Sequence, residues 1–225
     1  DSFKAAQGRF KSTARKWTVS DRMQQYEGIS KRYFLPYFRR LKIPYLSGDL
    51  AIVILKKENR MQLYVNHNGA WHFLHGFPVL GMSGHLGPKL REGDRQVPEG
   101  MYQIVAFNPN SRFFLSVKLN YPNDFDWLQA EKVGRENLGG NIFIHGSNLS
   151  RGCIAMGDQT MEYLFPLIVS YSRNNASWGG DIPVLIAPYD FRRHTHSISS
   201  ESGLPWVALL YEQISTALRY FPLPH

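Results

Sequence analysis

The sequence predicts a mainly β domain with α-helices at both ends, an α+β fold, and three features carry that prediction. Short apolar runs, LAIVIL at 50–55 and PVLIA at 183–187 among them, recur between turn signals through the middle of the chain. Such runs are too short for helices and are rich in β-branched residues. Helical spacing lies mainly outside this stretch, and no internal repeat interrupts it, so 225 residues suit one sizeable core with extensions.

The elements follow in order. Val19, Met23, Tyr26, Tyr33 and Tyr37 recur at steps of three, four and seven, which predicts a helix over 18–42. Thr18 or Ser20 caps its start, and Pro36 should end or kink it. Residues 50–55 read as a buried strand. Met61, Leu63 and Val65 alternate with polar residues after the turn KENR, so the two form a hairpin. Residues 71–80 give a third strand. Strands at 102–106 and 113–119 are joined through Asn108-Pro109-Asn110, a strong turn signal. Residues 141–144 form a short strand that runs into His145. A helix covers 161–171, with Asp158 placed as its N-cap. Residues 183–187 are the last strand, and a helix over 204–220 precedes Pro222 and Pro224. The chain thus divides into a basic helical extension at 1–45, a main domain at 46–190 and a helical extension at 191–225.

Composition narrows the function. Hydrophobic content of 43% and charged content of 20% describe a globular chain. It has no apolar run of about eighteen residues, the length that spans a bilayer. The opening DSFKAAQGRF lacks Met and an apolar signal core, and a leader is expected to be absent from this form. The net charge of +8 belongs to residues 1–42, which carry eleven Lys and Arg against three acids. Such an arm suits anionic lipid, an acidic polymer or nucleic acid, or is simply a solvated helix face. No nucleic-acid motif accompanies it. A single cysteine excludes an internal disulfide but fits either the cytosol or an exported enzyme with a reactive thiol.

That cysteine sits in NIFIHGSNLSRGCIAMGD, residues 141–158. On composition alone Cys153 would be a small buried hydrophobe; its neighbours point to a nucleophile. A thiol attacks as thiolate, and a nearby imidazole supplies that state. His145 ends a strand and Cys153 comes just before a helix, so the loop between them can fold the two together. Gly152 leaves room for a substrate carbonyl, and the N–H groups of Gly152 and Cys153 can face an oxyanion. The start of the following helix adds a favourable dipole. A histidine base needs its other nitrogen oriented, and with no acid inside the loop the Gly146 carbonyl is the candidate.

IHGSNLSRGCIAM resembles the signature of the L,D-transpeptidase catalytic domain, the YkuD type. The usual form has a histidine-glycine pair, a longer spacer and Ser-His-Gly-Cys. Here the spacer is short and Arg151 stands at the second histidine, as in the YafK-like (DpaA) branch. LGPKLREGDRQVPEGMYQI at 86–104 and NPNSRFFLSVKLNYPNDFD at 108–126 resemble two further blocks of that branch in the right order. The resemblance covers about 50–187.

It implies a β-sandwich-like fold with Cys153 at the end of a groove. It also implies acyl chemistry on peptidoglycan stem peptides in the periplasm or cell envelope, with no metal or organic cofactor. Cys153 would attack the carbonyl of the L-centre of diaminopimelate and form a thioester, with His145 as base, Gly146 as orienter and the N–H groups of Gly152 and Cys153 as oxyanion donors. The YafK-like branch implies a hydrolytic outcome, release of murein lipoprotein from peptidoglycan. Three alternatives stand: a transpeptidase that gives the acyl group to an amine, a YkuD-type domain acting on another amide or glycan polymer, and a binding module with a dead site.

Lys89, Tyr121, Ser150 and Arg151 are the substrate-binding candidates. Arg151 cannot shuttle protons but can hold a carboxylate bidentately; the alternative is an outward side chain that helps lower the thiol pKa. Lys89 could meet a substrate carboxylate, with Asp94 pairing a basic residue. Tyr121 is either a groove wall or packed. His85 could line the groove but reads as structural. His72 and His75 are expected on opposite strand faces, which disfavours a shared metal. Trp127 and Trp178 read as core or rim, and His194 and His196 as exposed loop.

Overall fold

The computed structural model describes residues 16–174, 182–193 and 203–224. Trp178, His194, His196 and the basic residues before Lys16 lie outside the described residues.

Among the described residues the order is α1 (Val19–Leu41), β1 (Asp49–Leu55), β2 (Arg60–His67), β3 (Ala70–Pro78), β4 (Gly81–Met82), β5 (Gly100–Ser111) and β6 (Phe114–Leu119). Then come α2 (Asp124–Lys132), β7 (Phe143–His145), β8 (Ile154–Ala155), α3 (Asp158–Asn174), β9 (Pro183–Ala187) and α4 (Pro205–Leu218). The α+β class is as the sequence predicts. The strands form one mixed sheet ordered β3-β2-β1-β9-β5-β6-β7-β8-β4. The twelve-residue β5 joins its halves: Gly100–Gln103 pairs with β9, and the rest pairs with β6 through two register shifts.

Both faces of β1 are covered, which is why LAIVIL is apolar without alternation. Leu50, Ile52 and Ile54 join the core made with α1 and α3, whereas Ala51, Val53 and Leu55 face α4 through Trp206, Leu210 and Ile214. Phe34 and Phe38 of α1 are both 0% exposed, and burying each contributes roughly 1.5–3 kcal/mol. The two flanking helices thus pack on opposite faces of the sheet, α1 with α3 on one and α4 on the other.

α1 starts with the expected Thr18 cap, whose hydroxyl accepts from the Asp21 N–H at 3.0 Å while the Asp21 carboxylate accepts from the Thr18 N–H at 2.8 Å. Pro36 does not end the helix, which runs five residues further to Leu41. Phe38, buried beyond the proline, holds that last turn to the core.

Asn108-Pro109-Asn110 is likewise not the turn. β5 runs through it, and Arg112 and Phe113 make the turn. The Asn110 side chain exchanges two hydrogen bonds with the backbone of Trp17, at 2.8 and 2.6 Å, and the Pro109 carbonyl accepts from Arg22 Nε at 3.0 Å. The motif fastens the start of α1 to the sheet. The His72–His75 parity also changes. A bulge opposite Leu63 and Tyr64 shifts β3 by one, so both histidines pair with residues of the α1-side core, Val65 and Leu63. His75 packs on Tyr37 with ring centroids 4.3 Å apart and bonds the Tyr33 hydroxyl at 2.9 Å.

Candidate active site

β7 and β8 run parallel, with Ile144 opposite Ile154 and His145 opposite Ala155. Both isoleucines are 0% exposed in the core. Side chains alternate along strands, so His145 points away from the isoleucines, and Cys153 stands in the bend immediately before β8. The intervening loop is clamped by the Met156 N–H on the His145 carbonyl and the Gly157 N–H on the Ser147 carbonyl, each at 2.8 Å.

His145 is 2% exposed and stacks on Phe113 with centroids 4.6 Å apart. Its Nδ1 hydrogen-bonds the Gly146 carbonyl oxygen. A carbonyl only accepts, so Nδ1 carries the proton and Nε2 of the neutral ring is left as the basic nitrogen. Gly146 is required by close approach: a Cβ there would lie 2.5 Å from an Asp158 carboxylate oxygen and 2.6 Å from the Phe113 carbonyl. Asp158 is the first residue of α3 rather than its cap, and its carboxylate accepts the Ser147 N–H at 2.7 Å. The acid thus stands at the helix start and ties it to the loop that follows His145.

The Cys153 thiol donates to the Asn141 carbonyl at 3.6 Å. Burial pushes the thiol pKa up, against the opposing pull of a backbone hydrogen bond from Phe143 and the Lys89 ammonium. Burial also lowers the His145 pKa, opposed by the Gly146 hydrogen bond. Both shifts favour neutral groups. The arrangement suits transfer of the thiol proton to the imidazole during attack.

Both expected oxyanion donors are engaged. The Gly152 N–H donates to the Ser83 hydroxyl at 2.6 Å, and the Cys153 N–H donates to the Ser150 hydroxyl at 3.1 Å. Ser150 also donates to the Cys153 carbonyl, so its hydroxyl closes a local turn. Gly152 has φ +95°, and a Cβ there would lie 3.4 Å from the Gln96 carbonyl. The room it provides is taken by the 83–99 loop.

Buried polar groups hold that loop. Glu99, 1% exposed, accepts the Gly87 N–H at 2.7 Å, pairs with Lys56 at 2.9 Å and accepts the Tyr211 hydroxyl of α4 at 2.7 Å. The Gln96 side chain bonds the backbones of His85 and Gly87. Lys89, 7% exposed, pairs with Asp94 at 2.5 Å and donates to the Arg91 carbonyl at 2.8 Å. Its ammonium acts inward on Asp94 and on the Cys153 thiol. Tyr121 is a packed tie rather than a groove wall: it is 4% exposed and its hydroxyl donates to the Leu138 carbonyl at 3.0 Å. Arg151 is exposed and makes no hydrogen bond or ion pair with another described residue, which leaves its guanidinium open to solvent. His85 is exposed, and Trp127 is 48% exposed. No group of three or more His, Cys, Asp or Glu among the described residues is arranged to hold a metal.

Sequence reasoning missed Ser83 and Phe113. Neither carries a local signal, because each meets the site only through a distant loop or turn. Glu99 and Asp94 were legible as acids in a loop of glycines and prolines.

Comparison with known proteins bears on this arrangement. Residues 49–186 match the L,D-transpeptidase catalytic domain family, YkuD. The chain is 27% identical over 195 residues to the YafK protein of Escherichia coli (strain K12), assigned by name to the L,D-transpeptidases; the match covers 83% of this chain and 72% of that protein. Among solved structures, Bd1075 of Bdellovibrio bacteriovorus is 17% identical at a TM-score of 0.43, covering 76% of this chain and 56% of that one. The helical cell shape determining protein Pgp2 of Campylobacter jejuni is 18% identical at a TM-score of 0.47, covering 75% of this chain and 68% of that one.

Proposed function

The chain belongs to the L,D-transpeptidase catalytic domain family, a family of cysteine peptidases and transpeptidases, and from that premise we propose that it hydrolyses an amide at the L-centre of diaminopimelate in peptidoglycan, releasing attached murein lipoprotein. The observation that carries this reading is the placement of His145 at the end of β7 and of Cys153 immediately before its parallel neighbour β8, with the Gly146 carbonyl fixing the tautomer that leaves Nε2 basic.

In this reading His145 Nε2 takes the thiol proton as the Cys153 sulfur adds to the carbonyl carbon. The oxyanion is met by the N–H groups of Gly152 and Cys153 once the Ser83 and Ser150 hydroxyls give way. The carbon–nitrogen bond then breaks, the leaving amine takes the proton from His145, and a thioester remains on Cys153. Water attacks next, gives its proton to His145, and the acid departs as the thiol is restored. Arg151, exposed two residues before the nucleophile, is suited to a stem-peptide carboxylate. Lys89 acts on the thiol by its charge.

The enzyme works in the periplasm, where this substrate lies. No helix among the described residues is long and apolar enough to cross a membrane. Lys31, Arg32, Arg39, Arg40 and Lys42 are exposed on or just beyond α1 and suit contact with anionic lipid or wall polymer. The test is mass spectrometry of products from muropeptides and lipoprotein-linked muropeptides in ¹⁸O water, with and without an amine acceptor. Incorporation of ¹⁸O at the released carboxyl supports hydrolysis. New amide crosslinks in its place would establish a transpeptidase.

A further inference from the structure

We infer that the Ser83 hydroxyl is a resident occupant of the oxyanion position at Gly152, which the substrate carbonyl must displace. The inference rests on the reading of the Gly152 N–H as an oxyanion donor. Oxyanion donors act at about 2.7–3.1 Å from the developing charge. Ser83 Oγ lies 2.6 Å from the Gly152 nitrogen, where that oxygen would sit. The same hydroxyl donates to the Arg95 carbonyl at 2.7 Å, so it is held from both sides.

The two occupied donors are not equivalent. Ser150 lies three residues from Cys153 and belongs to the turn that carries the nucleophile. Ser83 comes from 69 residues away, on the loop that Gln96, Glu99, Lys56 and Asp94 fasten. Its hydroxyl can rotate off Gly152 while the catalytic turn keeps its shape. Gly152 has φ +95°, and a Cβ there would meet the Gln96 carbonyl at 3.4 Å and the Arg95 backbone at 3.6 Å, so the same loop that carries Ser83 also lines the open side of Gly152. The unsubstituted side of Gly152 is therefore closed at rest, and the loop sets how readily a carbonyl enters.

The experiment uses the intact chain, Ser83→Ala beside wild type, and two reagents that differ in one respect. With p-nitrophenyl acetate the Cys153 sulfur adds to a carbonyl, an oxyanion develops, nitrophenolate leaves and an acetyl thioester forms. With iodoacetamide the sulfur displaces iodide and no oxyanion develops. Both reactions consume the same thiol, so the ratio of their rates cancels changes in thiol reactivity or in the folded fraction. Removing one neutral hydrogen bond that competes for the donor should raise the acylation-to-alkylation ratio about three- to tenfold in the variant. Faster amide hydrogen exchange at Gly152 should accompany it. An unchanged or lower ratio overturns the inference. If muropeptide hydrolysis nevertheless persists, the proposed function stands without it. Alkylation of Cys153 without ester acylation in either protein would overturn the inference, and absence of muropeptide turnover by wild type as well would overturn the proposed function.

Discussion

His145 ends β7 and Cys153 stands immediately before β8, its parallel neighbour, two residues out of step because Ile144 pairs with Ile154 and His145 with Ala155. Replacing the base by an isostere tests that relationship. In His145→Asn the side-chain amide nitrogen stands where Nδ1 does and can still donate to the Gly146 carbonyl, but it cannot take the thiol proton. Acylation should fall by about 10²–10⁴-fold, the range for a lost general base, with the fold retained by circular dichroism. Near wild-type single-turnover rates would remove His145 from the chemistry.

Burial acts on both members of the pair in the direction of the neutral form. Burial raises the Cys153 pKa above its ordinary value of 9.0 and lowers that of His145. The thiolate fraction therefore keeps growing as pH rises through the ordinary thiol range. Iodoacetamide alkylation of wild type should still be accelerating above pH 9. A plateau near neutral pH would reveal a preformed thiolate–imidazolium pair and contradict this assignment.

Lys89 and Asp94 form a nearly buried ion pair, and Asp94 also accepts the N–H groups of Leu90, Arg91 and Gln96. Lys89→Met leaves that carboxylate without its cation. Breaking such pairs costs about 3–5 kcal/mol; the three retained N–H donors place this loss near the lower end. Removing the ammonium should also move the alkylation profile of Cys153 to higher pH, since Lys89 lowers the thiol pKa. Chemical denaturation and the alkylation profile read the two effects separately.

Asp126 at the start of α2 gives a pH effect of known sign. Its pKa is raised to about 6, by burial first, against hydrogen bonds from Asn123 and Tyr102. The folded state thus binds the proton more tightly than the unfolded chain. The associated stability is present below about pH 4 and is lost as pH rises through about 6. Asp126→Asn removes the buried charge, so wild type should lose about 2 kcal/mol relative to the variant between pH 4 and 7. A difference that does not vary with pH would show that Asp126 titrates normally.

Contact with anionic lipid is tested on α1. Arg32→Glu, Arg39→Glu and Arg40→Glu together should sharply reduce co-sedimentation with phosphatidylglycerol vesicles at low salt, and the wild-type signal should fade as salt rises. Equal binding by both proteins would place the lipid contact elsewhere or nowhere.

Much of this was legible because the signals are local. Alternation and apolar runs marked β1, β2, β3 and β9, and the HGSNLSRGC loop marked Cys153 and His145 as the candidate pair. Pro36 lies near the end of α1, as expected, and the helix closes five residues beyond it with Phe38 buried there. The misreadings were tertiary. Asn108-Pro109-Asn110 has turn composition, yet its side chains and carbonyl hold α1, so β5 continues. α2 was missed: its nine residues have weak amphipathic periodicity, and its start is fixed by an Asn123–Asp126 capping box. The β3 bulge inverts the expected parity of His72 and His75. Ser83 at Gly152 has no sequence signature, since 69 residues separate partners that only the packed loop brings together.

The central claim is that Cys153 carries the acyl group of a stem peptide. The most direct measurement is the intact-protein mass after rapid quenching with a diaminopimelate-containing donor muropeptide, for wild type and Cys153→Ala. A mass gain equal to the donor less its leaving group, mapped to Cys153 and absent from the variant, is predicted. Turnover of the donor by a folded Cys153→Ala variant, or no adduct and no turnover by wild type, would contradict it.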